Sequence, residues 1–480
     1  MLKSVFIHCF QVQMVLLGLP SIVSFAIAAP KPNIVLIVAD DLGWADVGFN
    51  GARFYETPNI DSLAARGMIF SDAYPGASNC MPSRACIMSG AYITRTQMWT
   101  PGGEAKGKIG YMKLLVPRKG DDKGTSLFPS KLILEPSTIS LAETLKPAGY
   151  QSIHLGKWHL GPDAQGFDIN DTNGLGAGLD KKFYGNKEVA ANLTDRAIRY
   201  VEENGDKPFF MYLCHWDVHT PIRAKEEVVR KYEEKLDRGD WDRAWNTTYA
   251  AMIEAVDTSV GRLYKAIEKN GLAENTLFIF TSDNGGHAPA TPNDPLQGAK
   301  GAFYEGGIRV PMFALWPTAI KAGSRSKTPV TGVDYLPTFA EVAGAALPTK
   351  QAVDGRSIVS LMKGEDSLKN RSLFWHYPLY LAGNGYNLVR PVYGTTKLYW
   401  RATPCSVIRK GDWKLIQYFE DGSIELFNLR DDIGERRNLA KSLPEKAEDL
   451  LNELVQWQRD TNAVIPDQPN PDFSPESRSR

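Results

Sequence analysis

The sequence lacks a net charge, a dense set of cysteines and, after its first thirty residues, any long hydrophobic run. Lys plus Arg and Asp plus Glu both number 55 among 480 residues, so there is no basic excess of the kind that nucleic-acid-binding proteins show. The five cysteines follow neither zinc-ligand spacing nor that of small disulfide-rich proteins. What is present, 43% hydrophobic and 23% charged residues, is typical of a globular protein with a large core.

The N-terminal segment has the pattern of a secretory signal peptide. Lys3 is followed by an apolar run over residues 14–25 and then by a small-residue cleavage pattern that ends at Ala28. The run is short and contains Pro20, which disfavours a membrane span and leaves a buried helix as the alternative. We therefore expect residues 1–28 to be removed and the protein to be secreted or periplasmic.

Strand and helix patterns alternate along most of the chain. Residues 33–39 form a continuous apolar run, which is typical of a strand that is buried on both faces. Further strand patterns occur at residues 150–155, 208–214 and 276–280, and helical patterns at 57–67, 140–149 and 253–267. This alternation predicts an α/β fold, with a large, mostly parallel sheet sandwiched by helices.

The pattern changes near residue 366. Residues 405–428 predict hairpins around an Asp-Gly turn, and residues 444–459 an amphipathic helix. We expect a catalytic domain at 29–365, a small C-terminal α+β domain with an antiparallel sheet and a helix at 366–465, and a flexible tail at 466–480. The Gly-, Lys- and Pro-rich residues 96–136 have little periodicity and predict a functional or disordered loop.

Polar residues follow two of the predicted buried strands. Asp40 and Asp41 come directly after the first strand, and Asp283 and Asn284 follow the strand at 276–280. In doubly wound folds, sites form beyond the carboxyl ends of parallel strands. Carboxylate and amide oxygens suit Ca²⁺ or Mg²⁺. The alternative is two unrelated turns, but the same placement at two strand ends favours a metal site.

The segment Cys80-Met-Pro-Ser-Arg84 is the sharpest local pattern. Pro82 is typical of a helix start, and the helix is expected to close at Gly90. The free N–H groups and the dipole of such a start favour an anion, and a cysteine there is expected to be reactive. The alternative is a buried core thiol.

These segments together resemble the type I, formylglycine-dependent sulfatases of the alkaline phosphatase superfamily. The family's Cys-x-Pro-Ser-Arg signature corresponds to residues 80–84, and its Gly-Lys-Trp-His-Leu-Gly signature to residues 156–161. Further matching segments are residues 33–41, 282–285, 300–311 and 425–440, and the resemblance covers residues 31–460. Several motifs occurring jointly make the resemblance specific.

The resemblance implies that a formylglycine-generating enzyme oxidises Cys80 to Cα-formylglycine, whose hydrated aldehyde is the nucleophile. It implies a Ca²⁺ ion, with Mg²⁺ as the alternative. The metal ligands that it implies are Asp40, Asp41, modified Cys80, Asp283 and Asn284. The remaining catalytic positions that it implies are Arg84, Lys157, His159, His219 and Lys300, of which Lys157, His219 and Lys300 also bind substrate.

The chemistry of sulfate ester hydrolysis agrees with these roles. Lys157 and Lys300 are suited to contact sulfate oxygens as point charges. His219 is expected to protonate the departing alcohol with help from Lys300, and His159 to assist sulfate release as a base. A serine nucleophile could not release sulfate by restoring an aldehyde, which explains a modified cysteine.

Other interpretations stay open at this point. The two lysines could be solvated surface residues, and His215 with His219 could imitate a zinc pair, although Pro221 disfavours a helix there. A phosphate or phosphonate ester hydrolase of the same superfamily is the main rival, and a non-catalytic glycan-binding protein is a third. A sulfated glycan or a small sulfated molecule is the expected substrate. No nucleic-acid partner and no membrane span are expected.

Overall fold

The computed structural model describes residues 30–119, 127–128, 130–171, 186–204, 207–383 and 388–475. The expected signal peptide, residues 1–28, lies outside the described residues. Residues 31–480 group into one compact unit, so a domain boundary at 365/366 stays a prediction. Among the described helices, none combines the length and the apolar character that crossing a bilayer requires.

The described strands and helices follow the predicted alternation. The strands are β1 (Asn33–Ala39), β2 (Met68–Phe70), β3 (Ala73–Tyr74), β4 (Gln151–Gly156), β5 (Ile169–Asp171), β6 (Phe209–Cys214), β7 (Thr276–Ser282), β8 (Met312–Leu315), β9 (Ser324–Ser326), β10 (Val330–Thr331), β11 (Ser372–Tyr377), β12 (Leu381–Ala382), β13 (Arg390–Pro391), β14 (Leu398–Ala402), β15 (Cys405–Lys410), β16 (Trp413–Tyr418) and β17 (Ile424–Asn428). The α-helices are α1 (Pro58–Arg66), α2 (Cys80–Ser89), α3 (Ile93–Thr96), α4 (Leu141–Leu145), α5 (Val189–Glu203), α6 (Glu226–Arg238), α7 (Thr247–Lys269), α8 (Glu305–Ile308), α9 (Tyr335–Ala343), α10 (Val359–Met362) and α11 (Pro444–Asp460).

An eight-stranded sheet runs through the middle of the molecule, in the order β5-β4-β6-β1-β7-β8-β2-β9. Strand β1 lies between β6 and β7 and is parallel to both, with Val35 opposite Met211 and Phe278. Strand β8 is antiparallel to both of its neighbours. The sheet is therefore mostly parallel, as predicted.

Helices cover both faces of this sheet. Val35 and Ile37 of β1 belong to the apolar core on one face, which includes residues of α1, α5, α6 and α7. Ile34 and Leu36 point to the other face and to a core that includes residues of α2, α4 and α9. Because both faces are covered, the central strands are continuous apolar runs rather than alternating ones.

The C-terminal part contains two antiparallel sheets, in the orders β11-β15-β16-β17 and β12-β14-β13, and helix α11. Asp421 and Gly422 form the turn between β16 and β17, with φ of +72° at Gly422. The indole Nε1 of Trp375 donates to the carbonyl of Pro75, 2.8 Å away, and ties this part to the rest of the unit. An antiparallel sheet with one helix was the predicted architecture here.

Two segments are better packed than their composition suggests. Residues 466–475, predicted as part of a flexible tail, are held by backbone contacts: the N–H of Leu115 donates to Gln468 O at 2.8 Å, and Asn470 is 4% exposed. The rest of that tail lies outside the described residues. Within the predicted 96–136 loop, Trp99 and Tyr111 are buried in the core that the C-terminal sheets share. Contacts with residues distant in sequence therefore order both segments, although neither has a local helix or strand pattern.

Candidate active site

The predicted metal ligands lie together at the carboxyl edge of the central sheet. Asp40 and Asp41 follow β1, and Asp283 follows β7, which pairs with β1 in parallel. The N–H of Asp41 donates to Oδ1 of Asp283 at 3.3 Å, and Nδ2 of Asn284 donates to Oδ1 of Asp41 at 2.8 Å. All four side chains are at most 1% exposed.

Helix α2 brings Cys80 and Arg84 to the same edge. Cys80 is the first residue of α2, and Gly90, with φ of +66°, ends the helix. One turn later, Arg84 donates to Oδ2 of Asp283 from Nη2 at 2.7 Å and to the carbonyl of Lys157 from Nη1 at 2.6 Å. The helix that carries the cysteine is thereby fixed to the loop after β4 and to the end of β7.

Two lysines complete the ring of ion pairs. Lys157, directly after β4, pairs with Asp40 and lies 5.7 Å from the ring centre of Trp216. Lys300 lies 2.6 Å from Asp41 Oδ1 and is 9% exposed. Both lysines are buried and paired, which excludes the solvated surface lysines considered from the sequence.

Of the two histidines that follow β6, His219 lies beside the ion pairs of the site and His215 does not. Nε2 of His219 lies 3.7 Å from Oδ2 of Asp41, and its Nδ1 donates to the carbonyl of Thr220 at 2.5 Å. His215 instead contacts the Ser259 hydroxyl at 3.0 Å, so the zinc pair is not formed. A short helix-like spacing in sequence does not place two imidazoles together when the segment leaves a strand as a loop.

His159 also lies within the electrostatic reach of the site. Burial, together with Lys157 and Arg84, lowers the pKa of His159 to about 3. Its imidazole is therefore neutral at neutral pH and has a lone pair available to accept a proton.

Two groups of potential ligand atoms (carboxylate oxygens with a sulfur in one group and an imidazole nitrogen in the other) are close enough to hold a cation. Candidate ligand atoms of Asp40, Cys80 and Asp283 all lie within 4.8 Å of one another, and so do those of Asp40, Asp41 and His219. Oδ1 of Asp40 and Oδ1 of Asn284 are buried, and neither accepts a hydrogen bond from any residue that the structure describes. Buried oxygens without donors are costly unless a ligand satisfies them, so the donor set fits a hard divalent cation.

Electrostatics sets the state of the cysteine. Burial alone would raise the pKa of the Cys80 thiol, but the charges of Lys157 and Lys300 outweigh it, and the pKa is lowered. Burial and the neighbouring Asp40 raise the pKa of Asp283 in spite of Arg84. The lowered pKa sets Cys80 apart from Cys86 and Cys214, whose pKa values burial raises.

Comparison with known proteins assigns the chain to a family. The family model described as Sulfatase matches residues 32–345, and the model described as N-sulphoglucosamine sulphohydrolase, C-terminal, matches residues 299–460. The chain belongs to the sulfatase family. It is accordingly a sulfuric ester hydrolase of the alkaline phosphatase superfamily.

Similar proteins cover most of this sulfatase. A "Sulfatase" of Formosa agariphila is 33% identical over 529 positions, which span 91% of this chain and 90% of the relative. The N-acetylgalactosamine-6-sulfatase of Mus musculus is 29% identical over 77% of this chain and 73% of its own. A crystal structure of Ps i-CgsB in complex with k-i-k-neocarrahexaose superposes with a TM-score of 0.71 and 30% identity, over 91% of this chain and 94% of that one.

The sequence reasoning missed two charged residues of this sulfatase that lie beside the ion pairs. The carbonyl of Asp217 accepts from the Asp40 N–H at 3.0 Å, and burial and Asp40 raise the pKa of Asp217 to about 7. Arg401, on β14, donates from Nη1 to the carbonyl of Lys300 at 3.3 Å. Neither belongs to a local motif, and only the docking of distant segments brings them here.

Proposed function

We propose that this sulfatase hydrolyses sulfate monoesters of carbohydrates through a formylglycine formed at Cys80 and a bound Ca²⁺ ion. The observation that carries the proposal is the position of Cys80. It is the first residue of α2, its sulfur lies within 4.8 Å of ligand atoms of Asp40 and Asp283, and the charges of Lys157 and Lys300 act on it. A structural thiol has no need of such surroundings.

The metal site that we propose consists of Asp40, Asp41, Asp283, Asn284 and the modified residue 80. The donor-free oxygens of Asp40 and Asn284 support it. When bound, the cation polarises the sulfate and lowers the pKa of a hydroxyl nucleophile. Ca²⁺ is preferred to Mg²⁺ because the ligands come from several loops, and Ca²⁺ tolerates irregular oxygen cages better than Mg²⁺ does.

The formylglycine requires maturation by a formylglycine-generating enzyme. The modification supplies a hydrated aldehyde, with one hydroxyl for attack on sulfur and a second for release of sulfate. Arg84 fixes the helix that carries this residue, because its guanidinium contacts both Asp283 and the backbone of Lys157.

The two lysines bind the reacting sulfate. Asp41 holds Lys300, and that carboxylate outweighs burial and raises the pKa of the lysine well above its ordinary value. A permanently protonated Lys300 binds sulfate oxygen more readily than it donates a proton. The help that Lys300 gives in leaving-group protonation, which the sequence suggested, stays a prediction.

His219 is the group that we assign to protonate the departing alcohol. Its Nδ1 donates to a backbone carbonyl, so proton donation to substrate occurs at Nε2, which lies 3.7 Å from Oδ2 of Asp41. We assign His159 to accept a proton when sulfate is released, because burial and two neighbouring cations keep it neutral before that step; the same lowered pKa makes it a weak base. Separate histidines for the two proton transfers suit a reaction in two stages.

The named relatives support a sugar sulfate as substrate. The Mus musculus relative is named for N-acetylgalactosamine 6-sulfate, and Ps i-CgsB binds a neocarrahexaose. We also propose that residues 1–28 direct the protein out of the cytoplasm. Polymeric sulfated glycans are accessible to it there, outside the cytoplasm.

The decisive experiment compares sulfate release with phosphate and phosphonate release. The protein, co-produced with a formylglycine-generating enzyme, is assayed on 4-nitrophenyl sulfate, 4-nitrophenyl phosphate and a phenyl phosphonate, and on a panel of sulfated sugars. We expect release of sulfate from the aryl ester and from at least one sugar. Faster hydrolysis of the phosphonate than of every sulfate would assign the rival function instead.

The modification is tested on the same material. Mass spectrometry of the tryptic peptide that spans residue 80 is expected to show the aldehyde in place of the thiol. Cys80→Ser is expected to fold and to abolish multiple turnover. Full sulfatase activity with an unmodified thiol would refute the formylglycine mechanism.

A further inference from the structure

Arg401 is a cation of the C-terminal part that lies at the edge of the site. Its Nε donates to the carbonyl of Ala382 at 2.9 Å, and its Nη1 to the carbonyl of Lys300 at 3.3 Å. Gly301 follows Lys300 with φ of +91°, and a Cβ there would lie 2.6 Å from Cδ2 of Leu381 and 3.4 Å from Nη1 of Arg401. The loop that carries the catalytic lysine is therefore packed closely against β12, and Arg401 lies beside it.

The charges of the site are already matched without Arg401. Asp40 pairs with Lys157, Asp41 with Lys300, and Asp283 with Arg84. Among the residues that the structure describes, no carboxylate lies within salt-bridge distance of Arg401. Within the described part of the chain, the hydrogen bonds of this guanidinium go to backbone carbonyls, so its charge has no carboxylate in direct contact.

The charge of Arg401 acts on groups of the active site, and its Nη2 is available as a hydrogen-bond donor. The contact of Arg401 with the carbonyl of Lys300 places the guanidinium beside the sulfate-binding lysine, and its charge acts on both Asp41 and His287. Nη2 makes no protein hydrogen bond within the described residues, and it is not among the atoms sealed from solvent. Nη2 therefore has N–H groups left to donate to a substrate.

We propose that Arg401 binds a second anionic group of the substrate, a sulfate or a carboxylate on the sugar that carries the reacting ester or on its neighbour. The inference rests on the proposed function and deepens it. The substrate class becomes saccharides with at least two anionic groups rather than monosulfated sugars or simple aryl sulfates. A planar guanidinium suits the oxygens of sulfate and carboxylate, with which it forms charge-assisted hydrogen bonds.

Binding, measured apart from turnover, tests the inference. Calorimetry on the Cys80→Ala protein with Ca²⁺ present uses two matched pairs: N-acetylgalactosamine 6-sulfate with the 4,6-disulfate, and κ- with ι-type neocarrabiose. We expect the more anionic member of at least one pair to bind more tightly. Arg401→Gln is expected to reduce that member's affinity about 10- to 100-fold and to leave the other member within about twofold.

Two further variants identify the cause. Arg401→Lys keeps the charge and is expected to retain part of the selectivity. Arg66→Gln, which removes a surface charge paired with Glu268, is expected to change neither affinity. Raising the salt concentration is expected to reduce the preference for the more anionic member.

Turnover separates this inference from the proposed function. On 4-nitrophenyl sulfate, which has no second anion, Arg401→Gln is expected to lower kcat/KM at least about tenfold less than it does on the more anionic saccharide. Equal losses for both members of each pair, or equal affinities in the unsubstituted protein, would overturn the role of Arg401. Absence of any sulfate release with selective binding intact would instead overturn the proposed function.

Discussion

Arg84 holds Asp283 with two nitrogens on one carboxylate oxygen: Nε and Nη2 lie 2.9 and 2.7 Å from Oδ2. Both side chains are fully buried. The other oxygen, Oδ1, accepts the N–H of Asp41. This ion pair therefore connects the helix that carries Cys80 to Asp283. The Asp41 N–H holds the second oxygen of Asp283 next to another proposed metal ligand.

Removal of this arginine is expected to destabilise the protein as well as inactivate it. Arg84→Ala leaves a buried carboxylate without its partner, a change that costs about 3–5 kcal/mol in other proteins. Thermal unfolding followed by circular dichroism measures the effect. Arg66→Ala, which breaks a pair whose side chains are 46% and 40% exposed, is the control and is expected to change stability by about 0–1 kcal/mol. A similar Tm for both variants would contradict the structural role of Arg84.

Calcium is expected to raise the Tm, because it binds carboxylates that the folded protein brings together and the unfolded chain does not. At a hundredfold excess over Kd the gain is about 2.7 kcal/mol, or about 3 °C for a unit of about 450 residues. Differential scanning fluorimetry after chelation and after addition of Ca²⁺ measures it. Asn284→Ala is expected to reduce the shift, whereas Asn293→Ala, which removes an amide that donates to the carbonyl of Gly286, is expected to keep it. An equal shift in both variants would argue against the proposed ligand.

His219 is expected to matter in proportion to the basicity of the leaving group. An alkoxide needs a proton as it departs, and a nitrophenolate does not. His219→Ala is therefore expected to lower kcat about 100-fold or more on a sugar sulfate and less than tenfold on 4-nitrophenyl sulfate. Steady-state kinetics on the two esters measure the difference. Equal losses would mean that His219 only binds the sulfate.

The central sheet and the proximity of the proposed metal ligands could be predicted because both depend on local patterns. Residues 33–39 are apolar throughout because both faces of β1 are covered, and Asp41 and Asp283 meet because β1 and β7 are parallel neighbours. A buried strand that is followed directly by acidic residues predicts a site at the carboxyl edge of the sheet, whatever the rest of the chain does.

The edge of the site could not be predicted, because it depends on contacts between distant segments. Arg401 reaches Lys300 across 101 positions, through the pairing of β12 with β14. In the same way, Gln468 lies in a Pro-rich segment whose composition predicts a loose tail, yet its carbonyl accepts from Leu115. Every residue has a backbone carbonyl, so the residue type at the acceptor position does not predict such hydrogen bonds.

The C-terminal sheet contains a carboxyl group whose titration is expected to reduce stability at neutral pH. Burial outweighs the hydrogen bond from Tyr380 and the charge of Arg390, and raises the pKa of Glu420 to about 7. The group is 6% exposed, and Oε1 accepts from the Tyr380 hydroxyl at 2.9 Å. The protonated carboxyl is thus the form that the folded protein prefers.

Stability is expected to fall as the pH rises, because the folded state binds the Glu420 proton more tightly than the unfolded state does. Between about pH 4.5 and pH 7 the folded state binds more protons at Glu420 than the unfolded state, so this group's contribution to stability is complete below that window and is lost as the pH rises through it. The loss is on the order of 3 kcal/mol for a shift of this size. Glu420→Gln, which imitates the protonated form, is expected to match the unsubstituted protein at pH 5 and to have the higher Tm at pH 8. Thermal unfolding at both values checks this, and a variant that is less stable at pH 8 would show that the ionised carboxylate is the stabilising form.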